Sequence, residues 1–70
     1  MNSEVVRQLL QRRPFEPFTI QLSGGEIYEV RHPEVVAIGK NRLVIVDPDS
    51  DQMAICSLLH VTSVRTTQGA

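Results

Sequence analysis

Between Phe18 and Val30 the chain reads FTIQLSGGEIYEV. The strict alternation of Phe18, Ile20 and Leu22 with Thr19, Gln21 and Ser23 marks a half-buried β-strand. Gly24 and Gly25 supply the positive φ of a tight reversal, so EIYEV returns as the second arm of a hairpin. Two registers compete. A three-residue connection sets Tyr28 opposite Ile20 and Val30 opposite Phe18 on the core face, whereas a two-residue turn buries Ile27 instead. The first is the expectation taken forward.

The rest of the chain is read outward from this hairpin. Upstream, Val5, Val6, Leu9 and Leu10 recur at helical spacing, with Asn2 or Ser3 available as cap and Glu4 placed where the helix dipole favours negative charge. Arg13 precedes Pro14 and is pushed out of the α region, which predicts a helix over about 3–12 followed by an extended PFEP connector. Downstream, Pro33 cannot donate to a ladder, so RHPE is a bulge, a bend or a strand break and VVAI resumes the sheet. After the turn GKN, the run RLVIV lacks alternation and predicts a strand buried on both faces, one of them covered by the helix or by another subunit. DPDSD is a turn held by aspartate side chains, QMAI a short strand, CSLL a single 3₁₀ turn, and HVTSVR the closing strand. The tail over about 66–70 is polar and expected to fray.

At 70 residues this is one domain, 1–70, with a core too small to supply more than a few kcal/mol, a size at which metals, disulfides or oligomerisation commonly assist. Cys56 is the sole cysteine, which excludes an internal disulfide and fits the reducing cytoplasm. No apolar run reaches the length of a membrane span, and the opening MNSEVVRQLLQRRPF lacks the pattern of a signal peptide. The formal charge of −1 provides no global attraction to nucleic acid or anionic lipid, so any such binding must be local.

A helix followed by PFTIQLSGGEIYEVRHPEVVAI, RLVIV, QMAI and HVTSV resembles the bacterial Sm-like RNA chaperone family (Hfq-type) over most of the chain. The resemblance implies a mainly β fold: an N-terminal helix and a five-stranded, strongly bent antiparallel SH3-like or Sm-like small barrel. That family holds uridine-rich RNA with a tyrosine-lysine-histidine segment after its fourth strand, where this chain has Ile55, Cys56 and Ser57. Its arginine rim ahead of the first strand is matched loosely by Arg12 and Arg13. RPFEPFTIQLSGGEIYEVRHPEVVAI is also similar to a group of short bacterial proteins with PFxPFxIxLxxG and VxHPExVA segments and no assigned activity, which implies kinship without a function.

Chemistry-bearing residues are few. His32 and Glu34 have the functional groups of an acid/base pair, but flanking Pro33 they read first as a structural bend: His32, Pro33, Glu34. His32, His60 and Cys56 lack the spacing of a zinc site. Asp47, Asp49 and Asp51 match the first ligands of a calcium loop, which then fails at Gln52, where glycine belongs, and at Leu58, where a bidentate glutamate belongs. Gly24-Gly25 precedes no helix that could offer N–H groups to a phosphate, and no nucleophile elbow accompanies the serines. No catalytic residue, metal or cofactor is expected. Arg7, Arg12 and Arg13 are candidate nucleic-acid contacts, with Arg31, Lys40 and Arg42 as further cations on the sheet. The expectation is a non-enzymatic binding or assembly module that forms a homo-oligomer, with other proteins as further partners and no membrane association. The alternative is an Sm-like RNA or DNA binder.

Overall fold

The computed structural model describes residues 1–66. Helix α1 spans Ser3–Gln11 and is capped by Asn2, whose Oδ1 accepts the Glu4 N–H at 2.8 Å. The helix stops one residue before the expected Arg12, which has already turned to extended backbone ahead of a cis Arg13–Pro14 peptide. Val6 is fully buried and Leu9 and Leu10 pack against the core, which orients the helix over one end of the sheets. Phe15 follows, its ring tilted against Phe18 at 6.0 Å.

The first sheet places β1 (Phe18–Leu22) between β2 (Ile27–Val30) and β6 (Val61–Thr66). Phe18 faces Val30 and Ile20 faces Tyr28, the register of the three-residue connection. Its turn has the expected bonds: the Gly25 N–H donates to Leu22 O at 3.0 Å, the Leu22 N–H to Glu26 O at 2.9 Å, and Gly25 takes φ +96°. This is a type I reversal closed by a left-handed glycine, and it leaves Ile27 63% exposed. The second sheet runs β3 (Val36–Ile38), β4 (Arg42–Val46), β5 (Met53–Ser57), in that order. Both sheets are antiparallel throughout.

The fold is mainly β, but it has six strands in two three-stranded sheets rather than five strands in a closed sheet. The bend explains the difference. Pro33–Val35 form a complete 3₁₀ turn in which the Val35 N–H reaches His32 O and the Val36 N–H reaches Pro33 O. Those donors are spent on the turn and cannot continue a ladder, so the expected bent second strand becomes β2 and β3 in different sheets. The second 3₁₀ turn is Leu58–His60 rather than CSLL, because Cys56 and Ser57 still pair with β4. Thr66 ends β6 and does not begin a frayed tail; 67–70 lie outside the described residues.

Within the single chain RLVIV is fully buried on one face only. Leu43 and Ile45 are buried, whereas Val44 and Val46 are half-buried on the opposite face, the one expected to be covered by the helix or by another subunit, and α1 packs beside β3. The core lies between the sheets and centres on Phe18, Ile20, Val30 and Leu43. Burial of each such side chain contributes about 1.5–3 kcal/mol. No buried polar side chain competes with them among the described residues. No helix among those residues is long and apolar enough to cross a membrane.

Candidate functional site

Strand parity decides which side chains the second sheet presents to solvent. Asp47 N donates to Gln52 O and Leu58 N to Asn41 O, so the hydrogen-bonded pairs between β4 and β5 fall on Ala54 and Cys56. The backbone groups of Met53, Ile55 and Ser57 therefore point away from β4, and β5 is the edge of its sheet. The side chains of Met53 and Ile55 lie on the outer face, 63% and 66% exposed, beside half-buried Val44 and Val46. Natural edges are usually blunted by charge or proline, and MAICS carries neither. The other edges differ: β3 lies against α1, β2 carries Glu29, and β6 carries Arg65.

Two clefts border β5. One, of about 510 Å³, lies between β2 and the β4–β5 hairpin and is lined by Ile27, Tyr28, Arg31, Val46 and Met53. Arg31 spans its rim, 2.9 Å from Glu29 and 3.6 Å from Asp49. The other, of about 400 Å³, is bounded by the β1–β2 turn and by Cys56 and His60. There Ser23 Oγ and His60 Nδ1 are 3.3 Å apart. A hydrolytic dyad needs a third group to orient the imidazole, and no carboxylate forms an ion pair with His60 among the described residues. Cys56 is buried. Its thiol pKa is raised by desolvation first and by the Glu26 carboxylate second.

The residues singled out from sequence are dispersed. His32 and Glu34 flank Pro33 at the 3₁₀ turn, both exposed, with His32 on the first cleft while His60 and Cys56 line the second. Among the described residues no three His, Cys, Asp or Glu side chains are grouped to hold a metal ion. Asp47 Oδ1 accepts the Asp49 N–H at 2.9 Å, and this bond, ahead of the one from Ser50, holds its carboxyl below the usual range. Asp51 takes φ +59° in the same turn. The three aspartates thus shape a reversal between strands.

The arginines separate into two groups. Arg12 pairs with Glu16 at 3.0 Å, and Arg13 donates to the carbonyls of Leu10 and Arg12. Arg7 reaches across to Gly39 O at 3.3 Å, which brings it to the turn that carries Lys40 and Arg42. Among the described residues none of these last three forms an ion pair with a carboxylate. Lys40 and Arg42 line a shallow hollow of about 760 Å³ with Asn2, Leu58 and Leu59, the last 89% exposed. Sequence reasoning named Arg7, Arg12 and Arg13 as candidate contacts, with Lys40 and Arg42 as further cations; the structure brings Arg7 to Lys40 and Arg42 and leaves Arg12 and Arg13 apart from them. That reasoning also gave β5 no role, since alternation in MAICS fixes two faces without saying which one is wet.

Compared with protein-family profiles, curated proteins and solved structures, the chain matches none.

Proposed function

We propose that this chain is a non-enzymatic binding and assembly module of the cytoplasm that associates with copies of itself through the open edge of β5. The observation that carries the reading is the unblocked strand: outward backbone donors and acceptors at Met53, Ile55 and Ser57, flanked by exposed Met53 and Ile55 side chains. A second strand laid along such an edge satisfies its hydrogen bonds and covers its apolar face together. The small core of a 70-residue chain favours the same outcome. The reading is tested by native mass spectrometry and sedimentation across the micromolar range. Assembly of two or more chains is expected, and Ile55→Lys is expected to yield a folded monomer, since the position is exposed. A native chain that stays monomeric throughout the range refutes the reading.

A second reading has its own support. The order of elements, with two sheets joined through the bend at Pro33, is compatible with the halves of an Sm-like small barrel, and Arg7, Lys40 and Arg42 form a cationic surface that has no carboxylate ion-pair partner among the described residues. On this reading the surface binds the phosphates of RNA or DNA. Alanine at those three positions is expected to weaken oligonucleotide binding and lower its salt dependence by roughly 0.7 per lost single-strand phosphate contact. Alanine at Arg12 and Arg13 is expected to change little; the reverse ranking rules this surface out.

A further inference from the structure

The near-zero net charge conceals a separation along β4. The strand begins at the turn bearing Lys40 and Arg42, with Arg7 beside it, and ends at the turn bearing Asp47, Asp49 and Asp51. From Arg42 to Asp47 the chain rises roughly 16 Å at about 3.3 Å per residue. That is about twice the Debye length at physiological ionic strength, so the two ends act as independent surfaces of opposite sign. The acidic end adds Glu29, and Arg31, its one nearby guanidinium, is already engaged by Glu29 and Asp49.

Each pole also has an apolar centre. Met53 and Ile27, both 63% exposed, lie at the acidic end, and Leu59, 89% exposed, lies at the basic end. An exposed apolar centre inside a charged rim has the composition of a protein interface, and here two such patches carry opposite charge on one molecule.

We infer that the partner of the acidic pole is the basic pole of a second copy. This rests on the self-association proposed above and adds its orientation: two β5 edges paired antiparallel set each acidic end beside the basic end of the other copy, a two-fold arrangement in which both contacts form. Like poles repel, which disfavours a parallel pairing of the same edges.

The test uses two charge-reversed full-length chains, each checked for native circular dichroism. Lys40→Glu with Arg42→Glu makes both poles acidic; Glu29→Lys and Asp49→Lys with Asp51→Asn makes both basic. The substituted side chains are exposed, and asparagine tolerates the positive φ of Asp51. Neither variant is expected to self-associate in sedimentation at low salt, and an equimolar mixture is expected to form assemblies containing both variants. Native assemblies should weaken at least tenfold in affinity between about 0.01 and about 1 M NaCl, where the Debye length falls from roughly 30 to 3 Å. Native association indifferent to salt and to both reversals overturns the pairing of opposite poles and leaves self-association standing. A native chain monomeric at every concentration overturns both. Tight binding of a single-stranded oligonucleotide by a chain that remains monomeric also overturns both and favours the nucleic-acid reading.

Discussion

Replacing Gly25 by alanine tests the hairpin that sets the register of the first sheet. Gly25 has φ +96°, and a Cβ built there meets nothing within 4 Å, so the cost is conformational and not steric crowding. For a residue with a Cβ, the left-handed region costs about 1–2 kcal/mol. At roughly 4–8 °C per kcal/mol for a domain of this size, that penalty alone corresponds to roughly 4–16 °C in melting temperature, before the smaller gain from the stiffened unfolded chain is set against it. Gly24→Ala is the internal control. Its Cβ would lie 2.5 Å from Glu26 Oε1, but that atom is the free end of a flexible side chain and can swing away. Both substitutions remove similar freedom from the unfolded chain, about 0.4–1 kcal/mol, so the difference between them isolates the φ penalty. Thermal and urea unfolding, followed by far-ultraviolet circular dichroism at one fixed protein concentration, reads that difference. Gly25→Ala should be the less stable by about 1–2 kcal/mol, with Gly25→Asn between Gly25→Ala and the parent. A two-residue type I′ turn would require positive φ at both glycines. If Gly24→Ala is as damaging as Gly25→Ala, the three-residue connection is refuted and with it the placement of Tyr28 and Val30.

Adjacent leucines in the second 3₁₀ turn should behave oppositely. Leu58, 4% exposed, should cost about 2–5 kcal/mol as alanine, whereas Leu59→Ala should leave monomer stability within about 0.5 kcal/mol; equal losses in urea melts would show that the turn is misplaced. Cys56 should react slowly with alkylating reagents at neutral pH, because burial first and Glu26 second favour the neutral thiol. Its folded pKa lies above the unfolded one, so its contribution is complete below about pH 8.5 and declines as pH rises through the folded value. The urea midpoint should therefore fall at alkaline pH in the parent, with a shallower fall in Cys56→Ala; rapid labelling of the native chain at neutral pH argues against this.

The parts of the fold legible in the sequence are those governed by backbone chemistry within a few residues. Asn2 and Pro14 bound the helix, Gly24-Gly25 narrows the hairpin, and Asp47 caps its own turn, because each acts on neighbours along the chain. Pro33 announced a bend. That the bend would absorb its own hydrogen bonds and assign β2 and β3 to different sheets was not legible, since a break and a bulge share one signature. The continuous run of β4 likewise could not show what covers its second face: hydropathy gives the appetite of a surface and not what reaches it. For the candidate surface, Arg7 was legible together with Arg12 and Arg13, but its neighbours in space were not. Arg12 and Arg13 are adjacent but engaged locally by Glu16 and by carbonyls at the helix end, whereas packing of α1 beside β3 brings Arg7 to Lys40 and Arg42 from more than thirty residues away.

The pairing of β1 with β6 has a consequence for how the chain reaches this state. Phe18 meets Thr66 and Gln21 meets Ser63, so this ladder closes the longest loop of any strand pairing in the described chain, while β3, β4 and β5 are joined by hairpins alone. Loop-closure entropy weighs on the first arrangement and hardly on the second. The second sheet is therefore expected to assemble early and the first to be completed late, when β6 docks on β1. Transition-state φ-values near zero at Val61 and Val64, with higher ones at Ile45 and Ala54, would establish that order, and the opposite pattern would reverse it.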